Sequence, residues 1–172
     1  MSFLGKLFGK KENPEPQPKL REGEIATPWG PFMYLGIKYN SFEYEGMVDW
    51  YDDADEQCDV SIETNAVGSD DMSEGFERFA QLMNNRAEMD YKVKMAALDK
   101  LADSEGMIMS ESEHMLMSKT LFPEKMVIEC ISVMRDGCTH FTMWDTDIYD
   151  IYNITVIYTD KGTFEVEIDN LR

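Results

Sequence analysis

The sequence predicts an α+β fold in which an antiparallel β-sheet packs against a central pair of helices. Three observations lead to this prediction. Apolar residues alternate with period two in an N-terminal and a C-terminal section, which is typical of half-buried strands. Between these sections, apolar residues keep helical spacing from Phe76 to Leu101. Two glycine-containing turns, Asp136-Gly137 and Asp160-Lys161-Gly162, divide the C-terminal section into hairpins.

Residues 1–21 differ in composition from the rest, and we expect a flexible tail followed by one domain at 22–172. The tail holds three prolines and five basic residues against two acidic ones, a net charge of +3. Alternating prolines favour an extended spacer. The apolar and basic residues before the prolines could form a short amphipathic helix on a membrane surface. Gly5 and Gly9 weaken so short a helix, so a frayed terminus is the favoured interpretation.

Residues 33–62 are predicted to form a three-stranded meander. Met33, Leu35, Ile37 and Tyr39 precede Asn40-Ser41, and Phe42, Tyr44, Gly46 and Val48 follow it. A two-residue loop at Asn40-Ser41 pairs 37 with 44 and 35 with 46, which places all of these residues on one face. The third strand has the same alternation and consists of Cys58, Val60 and Ile62.

The central section is predicted to be helical. Asp71 with Glu74 is similar to a capping box, and helical spacing begins at Phe76. Asn84-Asn85 is a candidate break, which would give two helices in place of one. A shorter helix is expected from Ser110 to about residue 119, where the downstream proline, Pro123, prevents its continuation.

The C-terminal section is predicted to form two hairpins. In the first, a two-residue loop at Asp136-Gly137 joins 126–134 to 138–144. This register places Ile128, Cys130 and Met134 on one face with Phe141 and Met143, and it places Val133 and His140 on the other. In the second, pairing 159 with 163 leaves Gly162 free to form a bulge. That register puts six apolar residues on one face: Ile154, Val156, Tyr158, Phe164, Val166 and Ile168.

The string Trp29-Gly30-x-Phe32, followed by Phe42-x-Tyr44-x-Gly46-x-Val48-x-Trp50, resembles the opening of a bacterial family of unknown function. That family has a Gly-x-hydrophobic-x-Trp strand, an acidic helical segment and a closing hairpin with a glycine turn. The matching parts here are 29–50, the helices near 71–119, and 136–168. Family members often have a Gly-His pair before the closing strand. This chain has Tyr152-Asn153 there, so no role for that histidine carries over, and the resemblance names no substrate.

The domain at 22–172 is strongly acidic. It carries 11 Lys and Arg against 32 Asp and Glu, a charge of −21, while the whole chain has −18. Such a field repels nucleic acid and anionic lipid and attracts cationic partners. No apolar run approaches the ~20 residues that span a membrane, so we expect no integral membrane association. Three cysteines, an odd number in a chain of this size, favour the reducing cytoplasm.

No catalytic grouping accompanies this charge. His114 and His140 are the two histidines; Cys138 and His140 share a strand face, but ordinary strand residues are the favoured interpretation. Asp145-x-Asp147-x-x-Asp150 offers oxygen ligands for Ca²⁺ or Mg²⁺. It lacks EF-hand spacing and a turn glycine, so a solvated acidic loop is favoured. We therefore predict no metal and no cofactor.

Two acidic-aromatic segments are the candidate surface for a basic protein partner. Their aromatic side chains would anchor the partner, and their carboxylates would steer it. The first segment contains Trp50, Tyr51, Asp52, Asp53, Asp55 and Glu56, and the second contains Trp144, Asp145, Asp147 and Tyr149. The alternative for the first segment, given equal weight, is a long acidic turn in which Trp50 covers the edge of the sheet.

The sequence therefore favours a non-catalytic, acidic, cytoplasmic protein-binding domain that neutralises a basic partner, as an immunity or antitoxin-like protein does. Two alternatives stay open. The first is a hydrolase that uses carboxylates or a divalent metal, because a pair among 34 acids cannot be singled out. The second is a peripheral protein tethered by residues 1–21.

Overall fold

The computed structural model describes residues 22–38, 41–51, 57–65, 73–103, 119–144 and 152–170. The described residues form an eight-stranded sheet whose strands lie in chain order. The strands are β1 (Glu24–Thr27), β2 (Gly30–Lys38), β3 (Ser41–Val48), β4 (Cys58–Asn65), β5 (Val127–Val133), β6 (Thr139–Trp144), β7 (Tyr152–Tyr158) and β8 (Phe164–Asn170). The helices are α1 (Ser73–Asn84), α2 (Arg86–Asp103) and α3 (Leu121–Lys125).

The sheet is antiparallel except between β4 and β5, which are parallel. A parallel pair needs a long crossover, and the helical section of the chain lies between these two strands. The predicted α+β class with a mostly antiparallel sheet is therefore confirmed. That α1 and α2 pack together as one helical pair stays a prediction.

The core lies on the face of the sheet that the helices contact, which we call the inner face. α1 contacts β4, and α2 contacts β7 and β8. Phe76 and Phe79 of α1 pack edge-on against Phe32, with ring centroids 5.5 and 5.9 Å apart. The buried inner-face residues of the strands include Phe32, Tyr44, Val60, Ile62, Ile131, Val133, Phe141, Met143, Ile154 and Val156.

The predicted register of β2 against β3 is wrong. The structure pairs Ile37 with Phe42, and an irregularity between Tyr34 and Gly36 then shifts the pairing so that Phe32 lies opposite Gly46. A bulge moves every preceding side chain to the other face. Phe32 therefore enters the core in place of Met33, while Leu35 and Ile37 are 49% and 65% exposed. The predicted partner Tyr39 lies outside the described residues.

The predicted faces of β3 and β4 are confirmed. Tyr44 lies opposite Ile62, Gly46 opposite Val60 and Val48 opposite Cys58. Glycine at residue 46 leaves room for the Phe32 ring, because a Cβ at residue 46 would lie 2.9 Å from that ring. The edge strand β1 was not predicted, since its four residues are too few for an alternating pattern to be recognised.

The predicted break between the helices is confirmed at Asn85, which forms a turn between α1 and α2. Its side-chain amide donates to the carbonyl of Gln81 at 3.0 Å, and its backbone N–H donates to the carbonyl of Leu82. The cap at Asp71 and most of the helix expected from Ser110 lie outside the described residues. Pro123 lies in the first turn of a separate short helix, α3, where a helix does not use the missing N–H. Its predicted role in ending the helix expected from Ser110 stays a prediction.

The first C-terminal hairpin has a three-residue loop in place of the predicted two. Met134 N–H donates to the carbonyl of Cys138 at 2.9 Å, and Gly137 takes a φ of +98°, as in a bulged turn. This loop pairs Val133 with Thr139, so Val133 is buried on the inner face. Cys130, opposite Thr142, lies on the other face. The predicted faces of Val133 and Cys130 are therefore wrong.

The second C-terminal hairpin is confirmed in full. Tyr158 pairs with Phe164, Val156 with Val166 and Ile154 with Ile168. Thr159 N–H donates to the carbonyl of Thr163, which closes the three-residue loop, and Gly162 takes the expected positive φ of 78°. Here the turn residues and the apolar pattern specify one register, which is the condition under which sequence determines strand pairing.

Replacing Gly75 with Ala is expected to destabilise the domain by about 1–2 kcal/mol. Helix propensity alone would favour Ala by ~1 kcal/mol. However, the added Cβ would lie 2.7 Å from methyl carbons of Ile62 and Thr64 and 3.0 Å from the carbonyl oxygen of Glu63. The backbone oxygen cannot rotate away, so α1 has to move off β4. Urea unfolding measures the difference, and a gain in stability would contradict the close approach of α1 to β4.

Candidate functional site

The face of the sheet opposite the helices, which we call the outer face, is open. The strand side chains described on this face are all exposed or half-exposed. Carboxylates occur on it in two places. Glu43, Glu45, Asp59 and Glu63 lie on the adjacent strands β3 and β4, and Glu165, Glu167 and Asp169 lie on the edge strand β8. In the residue ranges of the eight strands, Lys38 is the single Lys or Arg. Acidic residues therefore greatly outnumber basic ones in the strands that form this surface.

One pair of acids on β3 and β4 lies at directly opposite positions, and the other two acids lie on the same face beside it. Glu43 lies opposite Glu63, and Met47 lies opposite Asp59. Like charges at directly opposite positions of an antiparallel pair destabilise it. In the described part of the chain, no ion pair offsets the charges of Glu43, Glu63 or Asp59. The arrangement costs folding stability and leaves the carboxylates available to an external cation.

A shallow groove of about 500 Å³ runs along the outer face beside these acids. Methionine and carboxylate side chains border it, and its lining includes Met33, Glu45, Met47, Asp59, Ser61 and Cys130. Ser61 Oγ donates to Ser132 Oγ at 2.9 Å, which joins β4 to β5 across the base of the outer face. Methionine adapts its shape to a contacting surface, so the groove combines a pliable apolar border with negative charge.

The cysteines of this face lack the properties of a nucleophile. Burial first, and then the charges of Asp59, Glu45 and Glu129, raise the pKa of the Cys130 thiol against a lowering hydrogen bond from Ser132. Desolvation is also the main cause that raises the pKa of Cys138. A raised pKa keeps both thiols protonated at neutral pH, and the thiol is a poor nucleophile. In the described part of the molecule, Cys138 and His140 form no hydrogen bond with each other.

The structure places Trp50 and Tyr51 in a polar cluster inside the domain. Trp50 is 2% exposed, and its Nε1–H donates to Asp90 Oδ1 at 3.2 Å. Tyr51 accepts a hydrogen bond from the backbone N–H of Ile128 at 2.6 Å. Lys94, which is 3% exposed, pairs with Asp90 Oδ2 at 2.9 Å, and its Nζ lies 5.0 Å from the centroid of the Tyr51 ring.

This cluster fastens the segment after β3 to α2 and β5. A side chain that is 2% exposed has no surface for a partner, so Trp50 acts here as an internal support. Several other predicted partner-binding residues lie outside the described residues: Asp52, Asp53, Asp55, Glu56, Asp145, Asp147 and Tyr149. Trp144 ends β6, where its backbone pairs with Val127. Partner binding by these two segments stays a prediction.

Sequence reasoning did not single out the outer face, although a signal for it exists. In β3 and β4 the acids occupy odd positions, between the even positions that carry the core. That alternation predicts one apolar and one acidic face. Runs of adjacent acids, such as residues 52–56, stand out more clearly in the sequence, and an alternating pattern does not produce them.

Residues 34–167 match the model of a family described as an uncharacterised protein conserved in bacteria, DUF2262. The chain belongs to this family. The match begins in β2 and ends in β8, so the DUF2262 region contains α1, α2 and most of the sheet. The resemblance to a bacterial family of unknown function is thereby confirmed. No curated protein and no solved structure matches the chain.

Two further findings concern the described part of the DUF2262 chain. Within it, no three His, Cys, Asp or Glu side chains lie together in a way that could hold a metal ion. None of its helices has the length and apolar character needed to cross a membrane. The acidic segment from Asp145 to Asp150 lies outside this part.

Proposed function

We propose that this DUF2262 chain is a non-catalytic protein-binding domain that binds a basic protein and neutralises it, as an immunity or antitoxin-like protein does. The observation that carries the proposal is the row of carboxylates on β3 and β4 of the open outer face. A partner with matching Lys and Arg residues would be steered to this face and held there by charge.

The energetic cost of the acidic row supports a role in binding. The direct pairing of Glu43 with Glu63 lowers stability in the isolated domain. A basic partner would remove that repulsion on binding, so the same charges that weaken the free domain would strengthen the complex. Beside the acids, Met33 and Met47 border the groove and offer apolar contact area to the partner.

The inner face gives this surface a rigid support. In our proposal α1 and α2 act as a packed pair that holds the sheet in a fixed curvature, while the outer face stays open. The protonated thiols favour a binding role over covalent catalysis. Three free cysteines fit the cytoplasm, which is where we place the protein.

The test compares two sets of three substitutions with the same change of charge. The first set is Glu45→Gln, Asp59→Asn and Glu63→Gln on the outer face. The control set is Glu77→Gln, Glu88→Gln and Asp99→Asn, whose exposed side chains lie on the helices. For a partner isolated on the full-length chain, we expect the outer-face set to slow association about tenfold at low salt, because steering is lost. Surface plasmon resonance over a range of salt concentrations measures the rates.

The control set changes net charge equally but leaves the outer face intact, so its association rate should stay close to that of the parent chain. A partner without net positive charge, or equal rates for the two sets, would contradict binding through this face. The same measurement with Asp52, Asp53, Asp55 and Glu56 replaced by Asn or Gln tests the first acidic-aromatic segment. A loss of rate with these substitutions alone would assign the partner to that segment in place of the sheet.

A further inference from the structure

A second cavity lies on the opposite side of the molecule from the outer face, where the helices meet two hairpin turns. It lies between the end of α1, the start of α2, and the loops that close the β5–β6 and β7–β8 hairpins, and its volume is about 320 Å³. That volume is at the lower end of the range of small-molecule sites. Polar and apolar side chains both line it, among them Arg78, Gln81, Leu82, Asn85, Met89 and Asp160.

Arg78 is the unusual residue of this cavity. Its Nε and Nη1 atoms are buried, and neither has a hydrogen-bond partner among the described residues. A guanidinium stays charged at all physiological pH values and offers five N–H donors in a planar fork. Leaving its donors buried and unsatisfied is costly. This free-energy cost arises in a domain with a net charge of −21, where many carboxylates could have paired with the guanidinium.

The neighbouring acid, Asp160, does not act as the ion-pair partner of Arg78. Asp160 lines the same cavity, yet it forms no ion pair with Arg78 among the described contacts. Its loop is fixed by the hydrogen bonds between Thr159 and Thr163, through their hydroxyls at 2.8 Å and from Thr163 N–H to Thr159 Oγ1 at 3.2 Å. The carboxylate of Asp160 also restricts the cavity, because a second negative group on a ligand would be repelled.

Gly137 keeps the space beside the guanidinium open. A Cβ at this residue would lie 3.4 Å from Arg78 Nη1 and 3.0 Å from Asp160 Cβ. The positive φ of 98° accounts for glycine in the turn, and the missing side chain also lets the turn lie directly beside the Arg78 guanidinium. The turn that sequence analysis treated only as a hairpin signal therefore contributes a wall of this cavity.

We propose that this cavity binds a small anion with one carboxylate or phosphate group and a short apolar body. The guanidinium of Arg78 supplies the charge and a pair of N–H donors, the geometry that matches such oxygens. Gln81 adds an amide, and Asn85 keeps one amide hydrogen after donating the other to the carbonyl of Gln81. Leu82 and Met89 provide the apolar wall. The site is separate from the outer face and does not depend on the proposed function.

The experiment measures thermal unfolding of the full-length protein with butyrate, inorganic phosphate, or chloride at equal ionic strength. At a concentration of about 100 times its Kd, a bound probe should raise Tm by roughly 5 °C relative to chloride. A rise with butyrate alone assigns the site to carboxylates, and a rise with phosphate alone assigns it to phosphate compounds. If neither probe raises Tm above chloride, the proposal is wrong.

Substitutions at the cavity test whether binding of the probe depends on Arg78. Arg78→Gln should weaken the bound probe about tenfold or more, because it removes charge-assisted hydrogen bonds. Lys161→Gln is the matched control: it removes one positive charge from the exposed β7–β8 loop beside Asp160, outside the cavity lining, and it should leave the affinity nearly unchanged. Arg78→Lys keeps the charge but loses the fork, so it should weaken binding even if Arg78→Gln does not fold. Unchanged affinity in Arg78→Lys and Arg78→Gln, or an equal loss in Lys161→Gln, would overturn the assignment.

Discussion

Replacing Asp90 with Ala is expected to destabilise the domain by about 3–5 kcal/mol, the range for removing one partner of a buried ion pair. Asp90 is the acceptor for Trp50 Nε1–H and the counterion of Lys94. Without it, the Lys94 ammonium stays 3% exposed, with one hydrogen bond to the carbonyl of Pro123 at 3.1 Å. Solvation cannot compensate at that depth, so the uncompensated charge accounts for most of the loss. Urea unfolding measured by circular dichroism tests this value.

The same helix contains a matched control. Glu88 and Lys92 are also four residues apart on α2 and form an ion pair, but their side chains are 67% and 50% exposed. Exposed pairs contribute little, so Glu88→Ala should leave the unfolding midpoint nearly unchanged. The double variant Asp90→Leu with Lys94→Met removes both charges together and should recover part of the stability lost in Asp90→Ala. Equal effects of Asp90→Ala and Glu88→Ala would contradict the internal role of the cluster.

The comparison of these two pairs explains why sequence analysis assigned Trp50 to a partner-binding surface. Asp90-Lys94 and Glu88-Lys92 have the same spacing and the same charges, and in sequence both are typical of a solvated helix face. The difference between them is burial beneath Trp50 and Tyr51, which lie about 40 residues away in the chain. A contact of that kind depends on tertiary packing, and no local pattern specifies it.

The hairpins show where local patterns are sufficient and where they are not. In the β7–β8 hairpin, Gly162 and six apolar residues favour one register, and that register is observed. In the β5–β6 hairpin, Asp136-Gly137 fits a two-residue or a three-residue loop, and the choice decides whether Val133 or Cys130 faces the core. In β2, the bulge beside Leu35 reverses the faces on which successive side chains lie. No residue before Gly36 marks the position of this bulge in the sequence.

The Arg78 cavity could not be predicted from sequence for a related reason. Its walls come from α1, α2 and two hairpin loops that are far apart in the chain. Arg78 itself lies between apolar residues of an amphipathic helix, where an arginine is typical of the solvent boundary. Its unsatisfied donors become visible only when the hairpin loops are placed against the helix ends.

Raising the pH from 9 to 11 is expected to lower the unfolding free energy by about 4 kcal/mol through Cys58 and Tyr51 alone. Burial is the main cause that raises both pKa values, with smaller contributions from Cys130 for Cys58 and from Asp90 for Tyr51. The ordinary values, which apply to the unfolded chain, are 9.0 and 10.0. The folded state therefore keeps protons that the unfolded state releases, so stability is complete below pH 9 and falls as the pH rises.

Single substitutions separate the contributions of the Cys58 thiol and the Tyr51 hydroxyl to this pH dependence. Cys58→Ala should remove a slope of about 1.4 kcal/mol per pH unit that begins near pH 9, and Tyr51→Phe should remove an equal slope that begins near pH 10. At neutral pH, Tyr51→Phe also costs about 1 kcal/mol, because Ile128 N–H loses its acceptor. Tyr91→Phe is the control, since Tyr91 is 53% exposed on α2. Urea unfolding between pH 7 and 11 measures the slopes relative to the parent chain, which cancels the general effect of lysine deprotonation. If Tyr51→Phe and Tyr91→Phe have the same pH dependence, the Tyr51 hydroxyl ionises in the folded state, and the polar cluster is open to water.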